Sequence, residues 1–138
     1  MEGRVRALFI APEKKAKPVM LDEVCAIAAG FEGDFHTTTT ANRRQILMIS
    51  QDVLQEFDLP PGSLFENIVV EGLDVMKFES GRQLRVGGTI LEVTVPCTPC
   101  GQMEGIRQGL KRALDGRRGM FARVVSSGIV RVGDVIHD

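Results

Sequence analysis

The stretch Leu91-Glu92-Val93-Thr94-Val95-Pro96-Cys97-Thr98-Pro99-Cys100 admits few backbone courses. Its first half alternates apolar and polar side chains, the period of a half-buried strand. Its second half is stiffened by two prolines, which fix φ at their own positions and push the preceding residues toward extended backbone. A strand therefore runs into a rigid turn, and the turn presents two of the chain's three cysteines. Upstream, Leu84-Arg85-Val86 and Thr89 to Val95 flank Gly87-Gly88, a pair suited to a primed two-residue turn, so this strand is the second arm of a hairpin. Thr89, Leu91, Val93 and Val95 share one of its faces; Ile90, Glu92 and Thr94 share the other.

The rest of the chain supplies more short strands than helices. Val5 to Ala11 reads as a strand stopped by Pro12, and Glu13 to Pro18 as a charged, solvated loop. Val24-Cys25-Ala26-Ile27-Ala28 is short and β-compatible, although its alanines would also suit a helix; its apolar neighbours predict Cys25 to be a buried small hydrophobe. Ile46-Leu47-Met48-Ile49 is a buried strand. Ser50 is placed to N-cap a short helix with Asp52 in its first turn and Val53, Leu54 and Phe57 on one face; Leu59-Pro60-Pro61-Gly62 ends it. Glu66 to Glu71 is a further strand, broken by Gly72. Ile106, Leu110, Ala113 and Leu114 recur at helical spacing, and Asp115-Gly116 closes that helix. After the basic turn Arg117-Arg118-Gly119 come strands at Met120 to Val125, Ile129 to Val132 and Val135-Ile136. Many short strands, frequent glycine turns and two helices predict a mainly β fold with helical additions, a closed or strongly curved sheet.

Composition narrows the class. At 138 residues a single domain over 1–138 is expected, large enough for a real core. The net charge of −1 offers no basic field, so no nucleic-acid partner is expected. No apolar run approaches the roughly 20 residues of a membrane helix, and the N-terminus lacks a signal-peptide core. An odd cysteine count without framework spacing points to a reducing cytoplasm, where a Cys-x-x-Cys pair is more often catalytic or metal-binding than a structural disulfide.

Cys97 and Cys100 are the foremost candidates for chemistry; with no Tyr or Trp and two His, nothing else has comparable nucleophilic potential. Gly30-Phe31-Glu32-Gly33-Asp34-Phe35-His36, followed by Thr37 to Thr40, is polar and turn-rich. It reads either as a surface loop or as a loop closing over a polar ligand. Arg43 and Arg44 follow it and would clamp an anion bidentately, or stand in solvent as surface charges. A structural zinc would need about four ligands, and Cys25 and His36 lack the spacing to complete one. A dithiol redox pair is the other reading, though the thioredoxin-like strand–helix context is absent.

In order along the chain, Gly33-Asp34-x-His36, Arg44-Gln45, Pro61-Gly62-x-x-x-Glu66-Asn67-Ile68 with Gly72, Gly81-x-x-Leu84-x-Val86-Gly87, Leu91-Glu92-Val93-Thr94, Pro99-Cys100, Ala122-Arg123-Val124 and Gly133-Asp134 resemble a MOSC domain, the module at the C-terminus of molybdenum cofactor sulfurases. The resemblance runs from about residue 20 onward and implies a β-barrel-like core. It further implies sulfur handling: a persulfide carried on Cys100, which would make the domain a sulfurtransferase-type accessory in molybdenum cofactor sulfuration. The sulfur donor would be a cysteine desulfurase, the acceptor a molybdoenzyme or its cofactor. The alternative it implies is a molybdopterin-binding module with Cys100 as the metal ligand, as in MOSC-containing reductases. By the same resemblance Asp34, His36, Thr38, Arg43, Arg44, Asn67 and Arg123 would hold the cofactor. Many family members have Arg where this chain has Cys97, which offers Cys100 a resolving thiol, and Phe35 stands where a basic residue is usual. Full-length sulfurases carry a separate aminotransferase-like domain with pyridoxal phosphate; this chain has no lysine context for that cofactor and is not expected to bind it.

Overall fold

The computed structural model describes residues 1–37 and 42–138. Its strands are β1 (Glu2–Ile10), β2 (Val19–Leu21), β3 (Glu23–Ile27), β4 (Gly30–Phe31), β5 (Ile46–Ser50), β6 (Ile68–Glu71), β7 (Gln83–Val86), β8 (Thr89–Pro96), β9 (Met120–Ser126), β10 (Gly128–Arg131) and β11 (Val135–His137). Three short helices accompany them: α1 (Gln51–Glu56), α2 (Gln102–Ile106) and α3 (Leu110–Ala113). Seven of the strands ring a closed barrel in the order β1-β6-β5-β9-β8-β7-β11, with β11 returning to pair with β1. Closure removes the sheet edges that a mainly β chain would otherwise expose. β2 extends the sheet beside β1, and β10-β3-β4 form a smaller sheet.

Hydrophobic pattern and barrel geometry agree closely. In the β7–β8 hairpin Val86 faces Thr89 across Gly87-Gly88, and Gly87, at φ 55°, occupies the positive-φ position a primed turn requires. Thr89, Leu91 and Val93 are buried as the alternation predicts. The register then shifts between Val93 and Pro96 against β9, so Thr94 becomes the buried residue in place of Val95. That bulge re-aims the end of β8 just before the cysteines. The apolar run of β5 is buried on both faces. Ile46 and Met48 join the barrel interior, while Ile49 packs outside it with Val53 and Leu54 of α1. β5 and β6 are parallel and joined through α1, a strand–helix–strand crossover.

Three local expectations are corrected. Cys25 is exposed, because β3 turns Val24 and Ala26 inward and leaves Glu23 and Cys25 facing out. The helix expected over Ile106 to Leu114 is two helices: Gly109 adopts φ 85° and breaks the chain between α2 and α3, so Leu110 and Leu114 are buried while Ile106 is exposed. Ser50 occupies the N-cap position of α1 without capping it. Its hydroxyl donates to Leu73 O at 3.1 Å and accepts from Val75 N at 2.9 Å, tying β5 to the turn after β6. No helix among the described residues is long and apolar enough to cross a membrane.

Candidate functional site

Beyond β8 the chain stays in register with β9 for one more step: Pro96 faces Met120, and Cys97 N donates to Gly119 O at 2.8 Å. This pins the first cysteine to the residue that follows Arg118. Gly119 is required here. Its φ is 134°, and a Cβ would lie 2.5 Å from Met48 O. Cys97 is half-buried, whereas Cys100, three residues along the turn, is exposed. Cys100 O accepts from Met103 N at 3.0 Å, so the turn leads directly into α2. Beside it Thr98, Pro99, Glu104, Lys111, Arg112 and Asp115 line an open cleft of about 380 Å³.

Burial pushes the Cys97 thiol above its ordinary range; the charge of Arg118 opposes this, Cys100 reinforces it, and Arg44 opposes it. The thiol thus feels the charges of two guanidiniums and of a second sulfur. Arg44 reaches the area over the Phe121 ring, with its guanidinium carbon 6.0 Å from the ring centroid. The segment carrying it is held to β8 by the Thr94 hydroxyl, which donates to Arg43 O. His36 approaches the same ring, its centroid 6.2 Å away, and stacks on Phe35. Buried Asp34 orients it: Oδ2 lies 2.7 Å from His36 Nδ1 and accepts His36 N at 3.1 Å, while Oδ1 accepts Ala11 N at 2.8 Å.

The residues expected to bind a cofactor thus separate. Asp34, His36, Arg43 and Arg44 lie on the segments that flank Phe121 and the thiol turn, and Arg43 and Arg44 are exposed. Thr38 lies outside the described residues. Asn67 is buried and its amide is used inside the fold, accepting Leu47 N at 2.9 Å and donating to Phe9 O at 3.1 Å. Arg123 pairs with Glu92 across β8 and β9 at 2.7 Å. No group of three or more His, Cys, Asp or Glu gathers among the described residues.

Two charged residues are buried in this region. Arg118, read as part of a basic turn, is 4% exposed. Its Nη2 donates to Leu64 O. Glu66, read as a strand start, is 1% exposed. It accepts Gly62 N at 2.8 Å and Leu64 N at 3.1 Å, closing a turn in which Phe65 adopts φ 60°, a left-handed conformation costly for an aromatic residue. Burial raises the Glu66 carboxyl above its ordinary 4.5, against the lowering effect of its backbone hydrogen bonds and of Arg118. A carboxyl whose folded value is raised stabilises the fold below its unfolded value, and that contribution is lost as pH rises through the raised one. Urea unfolding of wild type and Glu66→Gln should therefore diverge with pH. Relative to the variant, wild type is expected to lose stability as pH rises above 4.5; parallel pH profiles would refute this.

The MOSC domain family profile matches residues 35–137. Among solved structures, that of the YUAD protein from Bacillus subtilis superposes with a TM-score of 0.87 at 24% identity, covering 99% of this chain and 94% of that one. YiiM from Geobacillus stearothermophilus gives 0.79 at 16% identity, over 99% of this chain and 75% of its own. YiiM from Escherichia coli gives 0.72 at 18% identity, over 97% and 68%. At these identities the likeness speaks to fold. No curated protein matches the chain.

Proposed function

The chain belongs to the MOSC domain family, and from that premise we propose that it is a sulfur carrier, with Cys100 as the residue that receives sulfur. The observation that supports this reading most is the arrangement of the turn. Two prolines and the Cys97–Gly119 hydrogen bond hold an exposed thiol at the tip and a half-buried thiol behind it, the latter flanked by Arg118 and Arg44. The Cys100 thiolate attacks the outer sulfur of a donor persulfide. A new S–S bond forms on Cys100 as the donor's S–S bond breaks, and the donor cysteine leaves as a thiolate. The proposed donor is a cysteine desulfurase, and the acceptor is the molybdenum cofactor of a separate molybdoenzyme, the cofactor with which this family is associated.

Three of the residues expected to hold molybdopterin are engaged within the fold. Asn67 is committed to the barrel and Arg123 to Glu92, while Asp34 holds His36 and Ala11 N. We therefore treat the cofactor as an acceptor and place no step on a bound one. The test is intact-protein mass spectrometry after incubation with a cysteine desulfurase and free cysteine, followed by peptide mapping. A gain of one sulfur atom on the 97–100 turn is expected. No gain, with both thiols still open to alkylation, would sink the reading.

A further inference from the structure

Arg118 has more hydrogen-bond donors than the fold uses. Its Nη2 donates to Leu64 O, but Nε and Nη1 are enclosed and have no acceptor among the described residues. A buried, charged group in this condition calls for a compensating anion. Glu66 shares the region and feels the Arg118 charge. Its two oxygens, however, accept Gly62 N and Leu64 N, and the two side chains form no direct ion pair. The Cys97 sulfur also feels the guanidinium's charge, and its backbone is pinned to the residue after Arg118 by the Cys97 N–Gly119 O hydrogen bond. As a thiol, Cys97 is neutral and compensates nothing. As a persulfide it ionises more readily, because the second sulfur spreads the charge, and the side chain lengthens by about 2 Å, one S–S bond.

We propose that Arg118 is the anion-holding residue of the thiol turn, and that the anion it holds is the terminal sulfur of a persulfide on Cys97. This rests on the sulfur-carrier reading and divides its labour: Cys100 takes sulfur from the donor and Cys97 keeps it. The Cys97 thiolate attacks the outer sulfur of the Cys100 persulfide. The Cys100–sulfur bond breaks as the Cys97–sulfur bond forms, Cys100 leaves as a thiolate, and it takes up the proton Cys97 gave up. No oxidant or reductant is consumed. Arg44, the other cation acting on Cys97, adds charge from the exposed side.

Inorganic polysulfide tests this without a desulfurase, so failure of enzymatic loading and failure of this inference are told apart. After loading and removal of excess reagent, wild type is expected to carry the extra sulfur on Cys97. Arg118→Gln should lose it about tenfold faster, the loss expected for one charge-assisted contact, and Arg118→Lys should recover part of the lifetime. Sulfur found on Cys100 alone in wild type, or an unchanged lifetime in Arg118→Gln, would overturn the proposal. Should Arg118→Gln not fold, the near-ultraviolet band of the ionised persulfide decides the matter in chains with native Arg118. In loaded wild type, where Arg118, Arg44 and Cys100 are the charged or titratable groups acting on Cys97, the band should persist to lower pH than in loaded Cys97→Ser. Coincident midpoints would overturn the proposal.

Discussion

Replacing Asn67 with Leu is expected to cost the fold about 2–6 kcal/mol, because it orphans two buried backbone groups at about 1–3 kcal/mol each. Asn67 is 2% exposed and stands at the point where three strands meet. Its Oδ1 accepts Leu47 N at 2.9 Å and its Nδ2 donates to Phe9 O at 3.1 Å. Its own backbone continues both ladders, N to Leu47 O at 2.8 Å and O from Phe9 N at 2.9 Å. The side chain thus stands in for a strand residue on each side, between β5 and β1, just before the parallel β5–β6 pairing begins at Met48 and Ile68. Leu has the same branched skeleton but cannot bond to Leu47 N or Phe9 O. At roughly 3–5 °C per kcal/mol for a chain of this size, the thermal midpoint should fall by about 6–30 °C, with the urea m-value unchanged. Asn67→Asp is not expected to rescue it, since a carboxylate restores the acceptor, loses the donor and buries a charge. A loss under about 1 kcal/mol would mean that neighbouring backbone relaxes to re-form both bonds.

The β7–β8 hairpin was legible because period, turn chemistry and register all act within a dozen residues. The two-sided burial of β5 was legible as an apolar run; its cause, barrel on one face and α1 on the other, is a tertiary fact. Cys25 shows the opposite case. Its apolar neighbours argued for burial, yet Glu23 has the same strand parity and was the available signal that this side faces water. The Ile106–Leu114 spacing fitted one helix, but three glycines across 101–109 weaken such a reading, and Gly109 turned left-handed. At the site, the cysteines announced themselves through Pro96 and Pro99. Arg118 did not, because nothing local distinguishes it from Arg117. Only the continuation of the β8–β9 ladder to Gly119 carries one of the pair inside, while Arg117 pairs with Glu56 and lies over Phe57. The burial of Glu66 follows from the turn over 62–66 folding back on its own carboxylate, a feature that a strand reading over 66–71 does not specify.

Cys100→Ser is expected to reduce desulfurase-driven sulfur loading roughly a hundredfold or more, to background, since a serine hydroxyl is no nucleophile toward a persulfide at neutral pH. Access, and the raised thiol of Cys97, both point this step to Cys100. A donor protein must bring its own persulfide to the attacking sulfur, and Cys100 stands exposed at the tip of a stiff turn beside an open cleft. Cys97 is half-buried, and burial keeps its thiol protonated above the ordinary range, so it is a poor first acceptor despite Arg118 and Arg44. Cys97→Ser should accordingly load within about threefold of the wild-type rate. Size separates the two routes further: polysulfide is small enough to load Cys97 directly in Cys100→Ser, where a protein donor is not. In that variant, the pH at which alkylation of Cys97 reaches half its maximal rate should lie above the ordinary thiol midpoint of 9.0. Timed mass spectrometry on the three chains with both donors reads all of these quantities. Enzymatic loading of Cys100→Ser at the wild-type rate would make Cys97 the first acceptor, and the exposed thiol would then need another task.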